Sequence, residues 1–282
     1  MADFAHLFQP FLSFLEMLAP IVVIGAYLRV VEVRSPIDAK MPAKDIITDW
    51  MLAITGLGLA ALPASITGAC AAFIVNAAGG GLIQLRTDGP WYFVSLIALV
   101  IVTDLYRYWF HRMQHTIPLL WELHSFHHSA ESITFITGAR HHWIERVATA
   151  AILPVLPILF KIPPSLSATV AVIFLLPDTC SHTNVRLELG RAVTWINNPQ
   201  WHRIHHSTKL EHRDKNFASV FPLWDFVFGT AWAPKPNEYP PAGLIPSENV
   251  GFVEGVIWPF RKYLRRYRTV PSAGPIGSSD PA

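Results

Sequence analysis

From Trp50 to Leu85 the chain runs 36 residues without a charged side chain. About 20 apolar residues suffice to cross the ~30 Å hydrocarbon core of a bilayer. The stretch therefore favours a membrane helix over any element of a water-soluble fold. The composition agrees: 51% of residues are hydrophobic and 15% charged, against about 25% charged in a typical soluble domain. The chain reads as an all-α, integral membrane helical bundle. Its formal net charge of +2 names no partner, and no nucleic acid is expected among them.

Three further apolar regions complete the bundle. The first runs from Phe11 to Val31, broken only by Glu16 and Arg29. No basic leader and no small-residue cleavage site surround it, so it is expected to stay in the mature protein. The uncharged stretch is expected to cross once, at about 50–74, with Gly79-Gly80-Gly81 as its exit; a tight hairpin is the alternative. Another apolar helix runs from Trp91 to Phe110. Then 147–160 and 162–177 flank Pro163-Pro164, and each helix is about 20 Å long, short of a full crossing. This pair is either a re-entrant hairpin or a crossing that borrows flanking residues, which gives about four transmembrane helices in all. Both options return the chain to the side it left. Lys and Arg are abundant in the segments on either side of the pair, flank the first loop as Arg29, Arg34, Lys40 and Lys44, are absent from the first ten residues, and are represented only by Arg86 in the loop before Trp91. The positive-inside rule then places the N-terminus outside and the polar cap in the cytoplasm, in the cell membrane if the source is bacterial. Cys70 and Cys180 lie in or beside apolar stretches and are expected as buried thiols.

Twelve of the 13 histidines lie between positions 111 and 212. His111 and His115 are spaced HxxxH; His124, His127 and His128 are spaced HxxHH, as are His202, His205 and His206. Residues three and four apart share a helix face, so each cluster aims its imidazoles one way. Eight such histidines exceed the needs of a catalytic base or one structural zinc and match two metal ions. Asn198 and Pro199 supply an N-cap and a first helical residue for the last cluster. Ser125 and Phe126 are expected to point away from the middle one.

His182 is a further candidate ligand, at the end of the hairpin. His142 is another, a ligand or a partner of one, three residues before Glu145. His141 and His212 read as surface histidines, and His6 as unrelated. Asp104 lies seven residues before His111 on the same face. It either receives the free N–H of a ligand imidazole or sits at the interface, reaching water or pairing with Arg107. Imidazole alone does not select among iron, zinc, copper and nickel. A site at the lipid boundary meets mostly C–H bonds, and breaking these calls for an oxidant, which favours iron and O2.

The residues fall into a longer pattern. It reads D-x-x-x-Y-W-F-H-R-x-x-H from Asp104 to His115, W-x-x-H-x-x-H-H-S from Trp121 to Ser129 and R-x-H-x-x-E from Arg140 to Glu145. It continues H-x-N from His182 to Asn184, W-H-R-x-H-H-S from Trp201 to Ser207, and N-F…W-D-x-x-F-G-T from Asn216 to Thr230. This ensemble resembles the fatty acid hydroxylase / sterol desaturase superfamily. The resemblance implies an integral membrane, non-haem di-iron enzyme that uses O2 and two electrons to hydroxylate or desaturate a lipid such as a fatty acyl chain or sterol. It implies a cytosolic histidine-rich cap on membrane helices. Its metal ligands map onto His111, His115, His124, His127, His128, His182, His202, His205 and His206, with His142 as a tenth, and its motifs put Asp104, Glu145 and Asn184 among the catalytic residues. Trp143 stands where many members have proline.

The expected organisation is N-terminal transmembrane helices at 1–103, a catalytic domain at 104–232, and an amphipathic segment with a disordered tail at 233–282. Gly251–Arg268 either lies on the membrane surface or packs on the cap. No segment resembles a cytochrome b5 or flavin domain, so electrons are expected from a separate ferredoxin, cytochrome or reductase. The alternatives are a sterol C-5 desaturase, an alkylglycerol mono-oxygenase-like enzyme, or, from another class, a histidine-lined membrane metal transporter. A transporter would place its ligands near the bilayer midplane, whereas these follow helix ends.

Overall fold

A computed structural model describes residues 23–38, 42–152, 155–187, 189–248 and 250–269. The expectations for a leader, for most of the first apolar segment and for the tail from Val270 lie outside these residues. Of that first segment, 23–34 is helical (α1).

The uncharged stretch forms one helix, α2 (Ala43–Ala77), and not a hairpin. Its 35 residues make a rod of about 50 Å at 1.5 Å per residue. It ends where Gly79, Gly80 and Gly81 take φ of 94°, 78° and 93°, a conformation that costs glycine little and other residues more. Helix α3 (Trp91–Thr116) runs past the expected end at Phe110 and carries His111 and His115 in its last turns. Helices α4 (Pro118–His128), α5 (Trp143–Ile152), α6 (Val155–Leu159) and α7 (Pro164–Ser181) follow.

The tip between α6 and α7 meets the α2–α3 turn. There β1 (Ile83–Gln84) pairs in parallel with β2 (Phe160–Lys161), and Leu82 N–H donates to Leu159 O at 3.1 Å. A Cβ on Gly81 would stand 2.6 Å from Phe160 C, so this seam needs glycine. The tip of the α5–α7 pair thus reaches the turn that joins α2 to α3. Among the described residues, α2, α3 and α7 are long and apolar enough to cross a membrane. Leu62, Ile66 and Phe73 on α2, Phe93 and Ile97 on α3, and Val172 and Leu176 on α7 are exposed, an apolar surface too large for water. Cys70 is exposed on this surface and Cys180 half-buried. The expected burial of both thiols is therefore corrected: α2 turns Cys70 outward among residues suited to lipid.

Beyond the membrane helices, α8 (Pro199–His205), α9 (Leu223–Val227), α10 (Phe252–Val256) and α11 (Trp258–Thr269) build the cap with α4. Leu52, Phe126 and Trp258 form one core, and Trp258 Nε1–H donates to Ser125 Oγ at 3.0 Å. Ser125 and Phe126 do point away from the histidines. The C-terminal segment packs on the cap through Trp258, while Val253, Ile257, Phe260 and Leu264 remain exposed at helical spacing.

Buried carboxylates fasten the loops. Glu32 Oε1 accepts from Phe135 N–H at 2.9 Å and Asn184 N–H at 3.0 Å. Asp225 accepts from Phe217 N–H at 2.8 Å and Ala218 N–H at 3.0 Å. Asp49 of α2 pairs with Arg140 at 2.8 Å. The first turns of α2 therefore lie at the cap, and Arg86 lies at the opposite end. In a Cys70→Ser, Cys180→Ser background, an impermeant thiol reagent should label cysteines placed at Glu131 and Leu210 from the same side. A cysteine at Arg86 should be labelled from the other. Labelling of Arg86 and Glu131 from one side would contradict this topology.

Candidate metal centre

The histidines arrive from four places: His111 and His115 from α3, His124, His127 and His128 from α4, His182 from the C-cap of α7, and His202, His205 and His206 from α8 and its C-cap. Asn198 caps α8 as the sequence predicts, its side chain accepting from Gln200 N–H and Trp201 N–H at 3.1 Å each.

They sort into two groups able to hold a metal ion. His111, His115, His124, His128 and His205 form a pentad; His127, His182, His202 and His206 form a tetrad. In the pentad, Nε2 atoms of His111 and His124 are 3.2 Å apart, and those of His115 and His128 are 3.1 Å apart. In the tetrad, the His182 Nε2 lies 3.1 Å from that of His127 and 2.9 Å from that of His202, itself 3.2 Å from that of His206. Ligand nitrogens about 2.0–2.1 Å from one ion stand roughly 3 Å apart. Lone pairs converging at this spacing fit a shared cation.

Hydrogen bonds on the far side of the rings support the same reading. His111 Nδ1 donates to Phe217 O at 2.8 Å, His182 Nδ1 to Asp178 O at 3.0 Å, and His205 Nδ1 to Lys215 O at 2.8 Å. Each bond fixes the tautomer whose Nε2 is free to bind metal. His205 Nε2 is buried without a hydrogen-bond partner, as a ligand atom waiting for an ion would be. His115 Nδ1 lies 3.6 Å from Asp214. In the tetrad, Nδ1 of His127, His202 and His206 has no partner.

Glu145 has the role foreseen for a carboxylate beside a ligand, on a different histidine. Its Oε1 accepts from His124 Nδ1 at 2.8 Å, Gln114 Nε2 at 2.7 Å and His141 Nδ1 at 3.0 Å. Burial alone would raise its carboxyl, but His141 and His124 outweigh burial and hold it well below the ordinary carboxylate range. Burial, reinforced by neighbouring imidazoles, lowers His127, His128, His202 and His206 well below the usual histidine value. Burial likewise takes His182 to about 4 and His205 to about 3. At neutral pH these rings are uncharged, the form that binds metal.

Five expectations need correction. Asp104 touches no histidine and is fully buried. It accepts from Val220 N–H at 2.9 Å, Phe221 N–H at 3.0 Å and Trp224 Nε1–H at 3.1 Å, while Arg107 pairs with Asp178. Asp104 thus clamps the loop that carries Phe217. His142 lies outside both groups, with Nε2 donating to Val256 O at 3.0 Å. His141, expected at the surface, takes the place beside Glu145 and stacks on His127 at 4.3 Å. Asn184 holds the chain at 37–38, its Oδ1 accepting from Ile37 N–H at 3.1 Å and Asp38 N–H at 2.9 Å. His212 is also buried, bonded to Ser207 Oγ at 2.9 Å.

Two cavities reach the histidines. One of about 350 Å³, mostly apolar, is lined by His111, His124, His127, His141, His182 and His202 together with Phe110 and Ala150. The other, of about 380 Å³, shares no lining residue with it and meets His115, His128 and His205 beside Trp121, Lys209 and Arg213. Gly138 packs against the first: a Cβ there would stand 3.0 Å from His182 Nδ1.

Residues 96–230 match the fatty acid hydroxylase family model, a span that takes in every histidine of both groups. This region is a fatty acid hydroxylase domain. The alkylglycerol monooxygenase of Homo sapiens is 36% identical over 149 residues, 53% of this chain and 32% of the relative. An ornithine lipid hydroxylase of Rhizobium tropici is 25% identical over 177 residues, 63% of this chain and 53% of the relative. Methylsterol monooxygenase 1-3 of Arabidopsis thaliana is 25% identical over 143 residues, 48% of this chain and 47% of the relative. The chain thus spans about a third of the length of the alkylglycerol monooxygenases it matches. No solved structure matches it.

Two expected outcomes follow from the hydroxylase domain's geometry. Replacing Glu145 by Gln should weaken metal binding by about 10–100-fold, the usual loss when a ligand's outer partner is removed. Asp104→Asn should instead lower thermal stability by about 1–3 kcal/mol while the folded protein keeps its metal stoichiometry. Metal analysis and calorimetry separate the two. The second outcome concerns pH. Histidines held at about 4 and about 3 refuse protons that the unfolded chain accepts below about 6.5. Metal-free protein should therefore keep their contribution above pH ~6.5 and lose stability as pH falls from there towards 4. A melting temperature flat across that window would contradict the buried neutral rings.

Proposed function

We propose that the chain is a membrane-bound non-haem di-iron oxygenase that hydroxylates or desaturates a lipid. The observation that carries this reading is the placement of the two histidine groups. Both border one mostly apolar cavity, at the ends of helices suited to a bilayer. Iron bound there would bring O2 and two electrons to an unactivated C–H bond.

The chain's own residues supply the rest. The pentad would hold one ion and the tetrad the other. Glu145 and the carbonyls of Phe217, Asp178 and Lys215 hold the ligand rings in the binding tautomer. The clamp of Asp104 keeps Phe217 in place. Phe110, Ala150 and Ala218 give a hydrocarbon chain an apolar lining beside the histidines. On this reading 104–232 carries the chemistry, 1–103 anchors it and the amphipathic segment within 233–282 packs on the cap. The basic segments favour a cytoplasmic cap. Electrons come from a separate ferredoxin, cytochrome or reductase, and the second cavity gives such a donor access to His115, His128 and His205 without crossing the lipid cavity.

The substrates named for the relatives, an alkylglycerol, an ornithine lipid and a methylsterol, share a lipid character and little else. The reading is tested in two steps. Purified protein should hold about two iron ions per chain by elemental analysis, and His127→Ala or His205→Ala should lose metal and turnover yet still insert in the membrane. Lipid mass spectrometry of cells with the wild-type or His205→Ala chain should show a lipid gaining one oxygen, or losing two hydrogens, with wild type alone. Identical lipid profiles, or full activity with one metal or none, would sink it.

A further inference from the structure

One side of α10 and α11 is taken by the protein. Trp258 is fully buried. A Cβ on Gly255 would stand 2.5 Å from the Leu52 side chain of α2 and 3.0 Å from that of Phe126 on α4. Tyr263 O–H donates to Leu119 O at 2.9 Å, just past the end of α3. Ile257 N–H donates to Val253 O at 3.2 Å and Arg261 N–H to Ile257 O at 3.1 Å, so the helical turn carries over from α10 to α11. On the other side Val253, Ile257, Phe260 and Leu264 are 45–64% exposed. At about 100° per residue the four fall within roughly 60° of one another, and roughly 100–160° away from Trp258. A single apolar stripe is thus turned away from the cap.

Its height follows from the helices that α10 and α11 touch. About 20 residues span the hydrocarbon core. Counted from the glycine turn after Ala77 on α2 and from Trp91 on α3, the core closes near Leu57 and Phe110. Leu52 lies about 8 Å beyond the first of these at 1.5 Å per residue, and Leu119 follows soon after the second. A helix is about 10–12 Å across. The side of α10 and α11 turned from the cap therefore reaches the border of headgroups and acyl chains, where amphipathic helices bury an apolar face about 5–10 Å deep. Met51 and Ile54, next to Leu52, and Ile117, next to the start of α4, are exposed as well. Apolar surface thus continues from the membrane helices up to both points of contact.

Charge decides between lipid and a second copy of the chain as the cover. Helix α11 carries Arg261, Lys262, Arg265, Arg266 and Arg268 and no acid. Glu248 pairs with Arg261, Lys262 and Arg265, and Glu122 with Arg266. With Glu254 of α10, three negative charges stand against five positive. Two copies seated stripe to stripe would bring two such surpluses together, whereas the anionic headgroups of a bilayer attract one. We propose that α10 and α11 are seated in the leaflet nearest the cap, with Val253, Ile257, Phe260 and Leu264 among the first acyl carbons and the cations at headgroup level. This seat is independent of the chemistry at the histidines.

The test uses the full chain in nanodiscs of phosphatidylcholine and phosphatidylglycerol, one chain per disc, in the Cys70→Ser, Cys180→Ser background. Single cysteines at Val253, Ile257, Phe260 and Leu264 carry a nitroxide. Each should be relaxed by oxygen, which dissolves in lipid, and shielded from a water-soluble nickel chelate. Leu62 of α2 and Leu210 of the cap, both exposed, supply the lipid and water references. A nitroxide at Arg265, one residue from Leu264 but on the polar side, should stay open to the chelate. Adding Phe260→Glu should open the Leu264 label to the chelate and leave the Leu62 label as it was. A label that unfolds its chain drops out, and the remaining stripe positions decide. Stripe labels that read like Leu210, or equal readings at Leu264 and Arg265, would overturn the inference. So would spin–spin broadening at Phe260 in detergent that disappears on mixing with unlabelled chain, which would put a second copy on the stripe.

Discussion

Nine imidazoles removed from water and packed with Nε2 atoms about 3 Å apart call for neutral rings, and each of their two groups suits a cation of its own. As cations they would repel one another in a desolvated space, and as metal-free neutral rings their facing lone pairs would compete for too few protons. Most of the cap answers this constraint. Carbonyls and a carboxylate stand behind four of the rings, and the loops that present those carbonyls are fixed in turn.

The fixing is done largely by buried acids that accept backbone N–H groups. Glu32 joins α1 to the segments at 135 and 184, Asp104 joins α3 to 220–224, and Asp225 holds 217–218. Such bonds to a charged acceptor are stronger than neutral ones. They also leave few loop amides unsatisfied near the bilayer, where water is scarce. The acids of the cap thus work mostly on the backbone, while Glu145 is hydrogen-bonded to a histidine of the pentad and Asp214 lies near another.

What the sequence made legible is what local rules determine. Helical spacing identified the clusters on α3, α4 and α8. It also turned Ser125 and Phe126 into the core, and the Asn198-Pro199 start of α8 was written in its capping chemistry. Asp104 was misjudged because its partners lie 116 to 120 residues away, beyond any periodicity. Asn184 was misjudged for the same reason, its partners at 37–38 being 146 to 147 residues distant. The choice between His141 and His142 failed differently. Glu145 can meet a residue three or four positions earlier on a helix, and the structure uses four, so one step along the chain exchanged a cavity residue for one bonded to α10.

The two histidine groups are not equivalent. Behind the pentad stand the carboxylates of Glu145 and Asp214 and the carbonyls of Phe217 and Lys215. Behind the tetrad stands one carbonyl, that of Asp178, while three of its Nδ1 atoms face no acceptor. Electron density pushed through an imidazole by an anion behind it makes a richer donor. A pair of like ions placed here would become unlike by virtue of their seats. With such ions bound, the pentad would favour the higher oxidation state and the tetrad the lower, and the seats themselves would set a direction along which an electron settles.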